Sequence, residues 1–249
     1  MDKSKELIHY FTELRLKCFA QHYHSLLDEK KDVESVLLEL CQMETEKRYS
    51  AQVKRKIKQA GFPKVKTLAM LDYDKAPKLP RRMIETLSLC KFIEQKENLI
   101  LVGDSGGGKT HLAIALGLEA CKKLHSVKFF TACQLVNILM QEFQNGDFEK
   151  FMAKLKKCSL LIIDEVGYVP FSKTGAELLF QVFSNRYESG SIILTSNLNF
   201  SRWTDVFIDK TMTAALLDRL THHATIITYD WGSIRFNQAL TKKKTTKKK

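Results

Sequence analysis

The sequence lacks long apolar runs, paired cysteines and an abundance of glycine or proline. No stretch approaches the roughly 18 consecutive apolar residues of a membrane-spanning helix, and no apolar segment follows the charged start at residues 1–6. We therefore expect neither a transmembrane helix nor a secretory signal. With 11 glycines and 4 prolines among 249 residues, and with 44% apolar and 27% charged residues, the composition argues against collagen-like, disordered and coiled-coil chains.

The cysteines are few and scattered. Six occur, at positions 18, 41, 90, 121, 133 and 158, and no two of them form a CxxC pair. This spacing favours reduced thiols in a cytosolic protein over a disulfide framework. The chain length fits one large domain, or a domain of about 150 residues with a smaller one.

Acidic residues are outnumbered, 28 against 40 Lys and Arg, which gives a net charge of +12. The tail at 241–249 supplies six of these charges and leaves +6 on the rest. Such a charge favours a polyanionic partner, although it also aids solubility. Between residues 47 and 66 there is no acid at all, and we predict nucleic-acid contact there, with a merely solvated helix face as the alternative. The eight cations of this basic stretch are Lys47, Arg48, Lys54, Arg55, Lys56, Lys58, Lys64 and Lys66.

The first 60 residues have the apolar spacing of helices. One helical segment is predicted over 5–28, and a second begins after Asp32 as N-cap and is stopped by Gly61-Phe62-Pro63. We predict a helical domain that binds DNA or a partner over 1–60. A basic linker and lead-in follow over 61–95, and its prolines indicate an extended linker at 72–82.

After residue 98 short apolar runs alternate with helical stretches, which is the spacing of parallel βαβ units. We predict an α/β domain with a doubly wound parallel sheet over 96–240, and a disordered Lys-rich tail over 241–249. The strand candidates are Leu99–Val102, Val127–Thr131, Leu160–Ile163, Ile192–Thr195 and Thr225–Thr228.

A glycine-rich segment that fits GxxxxGK[ST] follows the first of these strands directly and opens an apolar-periodic helix. Backbone N–H groups that turn inward around a phosphate need the unusual dihedral angles of glycine, and a helix N-terminus adds its dipole. Lys109 is predicted to reach the β and γ phosphates of ATP, and the Thr110 hydroxyl to bind Mg²⁺. The predicted phosphate-binding residues are Gly103, Asp104, Ser105, Gly106, Gly107, Gly108, Lys109 and Thr110.

Two other strands end in polar residues. Asp164 and Glu165 follow a buried-type strand, where Asp164 can hold Mg²⁺ through water and Glu165 can polarise an attacking water. Asn197 ends the next strand and could orient that water or contact the γ-phosphate. Surface acids and an ordinary turn asparagine are the alternatives.

Two arginines are candidates for stabilising charge on a transferring phosphoryl group. Arg219 closes an apolar helical segment and Arg235 lies beyond the last strand, although a lone arginine is usually a surface group. His222 and His223 are interpreted as structural residues, since adjacent residues of a strand point to opposite faces and cannot share a metal.

With these residues in view, the chain resembles the DnaC-related AAA+ ATPases, and in particular the IstB-type transposition helper proteins of bacterial insertion sequences. The resemblance runs from about residue 14 to residue 236. The segments that carry it are Leu14–Leu16 in the first helix, Asn98–Leu112, Leu161–Gly167, Leu194–Asn197 and Asp218–Ile227. The last of these is the most specific, because all P-loop proteins share the glycine loop.

The resemblance implies an AAA+ P-loop domain with a Mg²⁺-dependent ATP hydrolase activity. It implies the sensor-1 role for Asn197, the arginine-finger role for Arg219 and the sensor-2 role for Arg235. The implied protein is cytoplasmic and nucleoid-associated, oligomerises with ATP on double-stranded DNA, largely without regard to sequence, and delivers that DNA to the transposase of the same element. Members commonly carry two prolines where this chain has Asp104-Ser105, and an aliphatic residue where it has Gly107.

Three alternatives remain open. A DnaC-like helicase loader shares the ATPase core, although Cys18, His22, His24 and Cys41 lack the spacing of the metal cluster that some loaders carry. A small-molecule P-loop kinase is disfavoured by the adjacent acids and the basic stretch. A DNA-binding protein that uses ATP only for assembly is the third.

Overall fold

The computed structural model describes residues 3–27, 32–74, 76 and 78–230. These residues divide into two compact units between Arg55 and Lys56. The first unit contains α1 (Lys3–Glu13), α2 (Lys17–Leu27) and most of α3 (Val33–Ala60). Its small core consists of Phe19, Leu26, Val36 and Leu40, with Phe11, Leu16, Tyr23 and Met43 packed against it.

A tight turn interrupts the helical segment predicted over 5–28, so the expectation that Leu14–Leu16 lie within the first helix is wrong. Arg15 adopts the left-handed conformation with φ +57°. The Leu16 N–H donates to the Phe11 carbonyl at 2.7 Å, and the Arg15 N–H donates to the Thr12 carbonyl at 3.0 Å. This pair of bonds is the Schellman helix end, which apolar periodicity does not reveal because Leu16 still packs onto the same core.

Replacing Arg15 by glycine is expected to stabilise the first unit by about 0.5–1 kcal/mol. A residue with a Cβ atom is strained at a left-handed position, whereas glycine adopts it freely. Hydrogen exchange at the amides of α1 and α2 measures the change. Lys17→Gly, inside the first turn of α2, is the matched control and should accelerate exchange. Faster exchange in Arg15→Gly would show that the arginine side chain holds the turn.

The helix α3 begins and ends as predicted. Asp32 caps it, with Oδ1 accepting from the Ser35 N–H at 2.9 Å and Oδ2 from the Ser35 hydroxyl at 2.6 Å. These bonds, the hydroxyl bond first, lower the pKa of the Asp32 carboxyl. The helix ends at Ala60, before Gly61 with φ +76°. Ala60 is buried in the core of the second unit, so the C-terminal end of α3 packs with that unit.

The second unit is built on a five-stranded parallel sheet in the order β2-β3-β4-β1-β5. All five predicted strands and their parallel arrangement are confirmed. The strands are β1 (Asn98–Gly103), β2 (Val127–Thr131), β3 (Leu160–Val166), β4 (Ser191–Ser196) and β5 (Ala224–Tyr229). The helices are α4 (Arg81–Ser88), α5 (Lys91–Glu94), α6 (Lys109–Lys122), α7 (Ala132–Gln144), α8 (Phe148–Lys156), α9 (Lys173–Arg186), α10 (Thr204–Phe207) and α11 (Lys210–Thr221), with 3₁₀ turns at Leu68–Met70 and Phe200–Arg202.

Helices cover both faces of the sheet. Alternate residues of β1 belong to different cores: Ile100 and Val102 pack with α7, α8, α9 and α11, whereas Leu99 and Leu101 pack with α4 and α6. This is the predicted doubly wound arrangement. The segment 72–82, predicted as an extended linker, contributes the buried side chains of Ala76 and Leu79 to the second of these cores.

The side chain of Asn98 joins three elements at the end of the sheet where β1 begins. Its Nδ2 donates to the Leu220 carbonyl of α11 at 3.1 Å, and its Oδ1 accepts from the Ile192 N–H of β4 at 3.0 Å. Its own N–H donates to the His223 carbonyl at 2.8 Å. Among the helices described, none has the length and apolar character needed to cross a bilayer.

Candidate functional site

The glycine-rich loop joins the carboxyl end of β1 to the first turn of α6. Gly103, Gly106 and Gly108 have φ values of +135°, +86° and +104°, a region that side chains rarely adopt. At Gly103 a Cβ atom would also lie only 2.0 Å from the Tyr229 carbonyl oxygen of β5. The loop conformation therefore requires glycine both for its dihedral angles and for the close approach of the neighbouring strand.

The ammonium group of Lys109 is held against the loop. Its Nζ donates to the Gly103 carbonyl at 2.5 Å and to the Asp104 carbonyl at 2.8 Å, and the residue is buried. Gly103 and Asp104 thus contribute carbonyl oxygens to Lys109, while Ser105–Thr110 line the adjoining cavity. The Asp104 side chain is exposed.

Three side chains meet where β3 and β4 end beside α6. The hydroxyls of Thr110 and Thr195 both donate to Asp164 Oδ1, at 2.9 Å and 2.6 Å. The Thr195 hydroxyl also accepts from the Glu165 N–H at 2.9 Å. Asp164 is buried, whereas Glu165 is exposed and has a left-handed φ of +62°. Thr195 therefore fixes both acids.

A cavity of about 680 Å³ opens between the glycine loop and these acids. Glu165, Thr195 and Asn197 line it together with the loop. The Oδ1 atom of Asn197 is buried and has no hydrogen-bond partner within the described residues, which suits a polar ligand. The other lining residues are Pro63, Lys64, Lys66, Met70, Leu71, Asp72, Ala76, Leu79, Ile114, Tyr168 and Tyr229, with His111 of α6.

The residues present fit a magnesium–nucleotide ligand. The loop offers a backbone cradle in which a Cβ atom at Gly108 would meet nothing within 4 Å, and Lys109 supplies a buried cation beside it. The hydroxyl of Thr110 and the carboxylate of Asp164 are the hard oxygen ligands that Mg²⁺ prefers. The apolar side chains of Leu71, Ile114 and their neighbours form a surface of the kind that a nucleotide base requires.

Sequence reasoning missed several residues of the cavity. Lys64 and Lys66 line it, although both belong to the basic stretch that was predicted to contact nucleic acid. Thr195 ends a predicted strand and had no predicted role. Its signal was its position at the end of a buried strand, because parallel strands end at one edge of a sheet.

The structure does not place either predicted arginine at the cavity. Arg219 lies on α11, where Nη1 donates to the Ser184 hydroxyl of α9 at 2.6 Å and the guanidinium stacks 5.0 Å from the centre of the Phe180 ring. Arg235 lies outside the described residues. The roles of both remain predictions.

The two histidines do not lie on a strand as predicted. His222 caps the C-terminus of α11, His223 follows in the turn, and their ring centres are 4.1 Å apart. His222 contacts the Tyr187 hydroxyl through Nδ1 at 3.1 Å. Within the part of the chain that is described, no group of three or more His, Cys, Asp or Glu side chains could hold a metal, and all six cysteines are free.

Comparison with known proteins agrees with this geometry. The IstB-like ATP binding protein family matches residues 11–242. The ATP-binding protein of insertion sequence IS21 from Pseudomonas aeruginosa is 37% identical over 94% of this chain and 89% of its own length. The corresponding protein of insertion sequence IS5376 from Geobacillus stearothermophilus is 35% identical over 94% of this chain and 95% of its own length.

Solved structures show the same fold at lower identity. The DnaC helicase loader matches 60% of this chain and 89% of its own with a TM-score of 0.51 and 21% identity. DnaI matches 66% of this chain and 91% of its own with a TM-score of 0.55 and 21% identity. The α/β domain has the fold of these structures, and with its glycine loop, paired acids and match over residues 11–242 the chain belongs to the family of IstB-like ATP-binding proteins.

Proposed function

We propose that this protein is a Mg²⁺-dependent ATP hydrolase that assembles on double-stranded DNA and assists the transposase of its own insertion sequence. The observation that carries the proposal is the hydrogen-bonded group of Thr110, Asp164 and Thr195, with Glu165 beside it on the cavity. A loop that binds phosphate needs only its backbone and lysine. An ordered acid pair at the cavity edge additionally serves hydrolysis.

Each side chain has a distinct part in this mechanism. Lys109 neutralises phosphate charge, and Thr110 and Asp164 hold Mg²⁺, directly or through water. When bound, the metal supplies positive charge to the phosphate oxygens. Glu165 accepts a proton from the attacking water, and Asn197 orients that water or the terminal phosphate from the end of β4. The Thr195 hydroxyl donates to the carboxylate of Asp164 but accepts from the backbone N–H of Glu165. It therefore positions Asp164 and leaves the Glu165 carboxylate unbound by this hydroxyl.

The biological role is proposed from the relatives and from charge. Relatives whose alignments cover over 90% of this chain belong to insertion sequences. The net charge of +12 suits a DNA partner. Assembly as a homo-oligomer through AAA+ interfaces is proposed from Arg219, which is partly exposed on α11 and does not line the cavity of its own chain.

Replacing Glu165 by glutamine is expected to leave ATP binding intact and to lower the rate of hydrolysis about 100-fold or more, because the amide cannot accept the proton. Single-turnover hydrolysis and ATP affinity, measured separately, check the result. Glu177→Gln, an exposed glutamate on α9, is the matched control and should hydrolyse at the wild-type rate. Equal rates for Glu165→Gln and wild type would remove Glu165 from the mechanism.

The same variant tests the partner. In an integration assay with the transposase encoded beside it, the wild-type protein should raise strand transfer, and Glu165→Gln should hold the ATP-bound assembly on DNA. If the protein instead loads a replicative helicase onto DNA and leaves the transposase unaffected, the helicase-loader alternative replaces the transposition role.

A further inference from the structure

The first unit carries a shallow cleft of about 410 Å³ between the turn after α1 and the middle of α3. Four of its lining side chains are cations and one is an acid. The lining residues are Leu14, Arg15, Lys17, Glu44, Lys47, Arg48 and Ala51, and we call this surface the basic cleft. Arg15 and Lys17 belong to no basic run in the sequence and were not predicted to act with the basic stretch.

The acid of the cleft is already neutralised from within. Glu44 Oε2 accepts from the Cys18 N–H at 2.8 Å, and Oε1 accepts from Arg48 Nε at 2.8 Å. These partners, Cys18 first, lower the pKa of the Glu44 carboxyl, so it stays ionised and paired with Arg48. The charge left over in the cleft is therefore that of three cations, Arg15, Lys17 and Lys47.

Those three side chains are exposed and form no ion pair within the described residues. Lys47 makes one neutral hydrogen bond, from Nζ to Gln21 Oε1 at 3.2 Å. Each long cation that sits near an unpaired like charge raises the electrostatic energy of the surface, which an anionic partner relieves.

The walls of the cleft are fixed. The Schellman turn sets the Arg15 backbone, and its carbonyl accepts from Arg48 Nη2 at 3.0 Å, which joins the turn to α3. On α3 the charge continues, because Lys54 and Arg55 follow Lys47 and Arg48 by seven residues, or about two turns, on the same face. An extended row of cations fits a polyanion with regularly repeated charges better than a single small anion.

We infer that the basic cleft, together with Lys54 and Arg55 of α3, binds the phosphate backbone of double-stranded DNA, whereas Lys64 and Lys66 contact the ligand of the nucleotide cavity. The inference rests on the proposed DNA-binding function and names its surface. It divides the basic stretch of the sequence into two parts with different phosphate ligands, and it adds Arg15 and Lys17 to the first part.

The experiment measures the affinity for a fluorescent DNA duplex by anisotropy, with a non-hydrolysable ATP analogue, over a series of salt concentrations. In Arg15→Gly, Lys17→Gln, Lys47→Gln the slope of log affinity against log salt should flatten by about 2.7, since each lost phosphate contact removes about 0.9. Arg15→Gly alone, which should fold at least as well as the wild type, should remove about 0.9. The charge-matched control replaces three exposed lysines of the second unit: Lys154→Gln, Lys156→Gln, Lys157→Gln.

Each outcome decides the inference. It is supported if the cleft variant loses slope but keeps its ATP affinity, and if the slope of the three-lysine control stays at the wild-type value. Lys64→Gln, Lys66→Gln should instead lower the affinity for the ATP analogue. An unchanged slope in the cleft variant, with wild-type DNA binding present, overturns the inference and leaves the proposed function standing. If poly-glutamate displaces the fluorescent duplex from the protein as well as unlabelled duplex DNA does at equal charge, the cleft binds acidic protein segments and the inference is wrong. If the wild-type chain binds no duplex, both the proposed function and the inference fail.

Discussion

The Lys109→Ala variant is expected to bind ATP at least about 100-fold more weakly than the wild type and to lose every ATP-dependent property. The ammonium group donates to two backbone carbonyls of the loop, and the buried residue lines the cavity in which the phosphates are proposed to bind. Charge-assisted bonds of this kind are stronger than neutral ones, and alanine supplies none. Equilibrium titration with ATP in the presence of Mg²⁺ measures the loss.

Two controls separate this effect from a loss of structure. Lys123→Ala removes an exposed lysine just after the other end of α6 and should leave ATP affinity unchanged. Thermal unfolding of Lys109→Ala should remain cooperative, because the loop carbonyls it frees lie beside the open cavity and can reach water. If a folded Lys109→Ala protein retained wild-type affinity, the glycine loop would not be the phosphate site.

The Arg219→Ala variant is expected to bind ATP normally but to hydrolyse it about 10³-fold or more slowly than the wild type. An arginine that completes a neighbour's site meets only the charge that develops in the transition state. Subunits with Lys109→Ala, whose own ATP binding is weakened, still present Arg219. A mixture of the two inactive variants on DNA should therefore recover part of the activity where an intact cavity meets an intact Arg219.

The control for the mixture is native mass analysis, which establishes that mixed oligomers form. If they form and the mixture stays as inactive as its components, Arg219 does not act across the interface.

A second comparison concerns how Arg219 is held. Ser184→Ala removes its hydrogen bond but leaves the Phe180 ring beneath it, so hydrolysis should fall far less than in Arg219→Ala.

The strands and the phosphate loop were predictable because their signals are local. A strand that is buried on both faces, such as β4, is a short apolar run. The edge strand β2 was predicted with the bounds it has, Val127–Thr131. The glycine loop was predictable because its chemistry demands particular residue types at fixed spacing. The cap at Asp32 and the stop at Gly61 were likewise set by neighbouring residues.

Features that depend on distant parts of the chain were not predictable. Lys64 and Lys66 read as part of a one-sign run, and only the fold of the segment after α3 brings them to the cavity. The burial of Ala76 and Leu79 among prolines and lysines depends on a surface offered by α6 and β5. The turn at Arg15 escaped prediction for a different reason, since its left-handed residue is not glycine.

The amide of Asn98 gives the sheet a mechanical property. It ties the start of β1, which leads to the glycine loop, to the start of β4, which leads to Asn197, and to the carbonyl that follows Arg219. A force that displaces α11 must therefore break these bonds or carry both strands with it. Contact between subunits at Arg219 would then transmit a displacement of α11 to β1 and β4, the two strands that lead to the glycine loop and Asn197. The sheet would in this way couple neighbouring nucleotide sites.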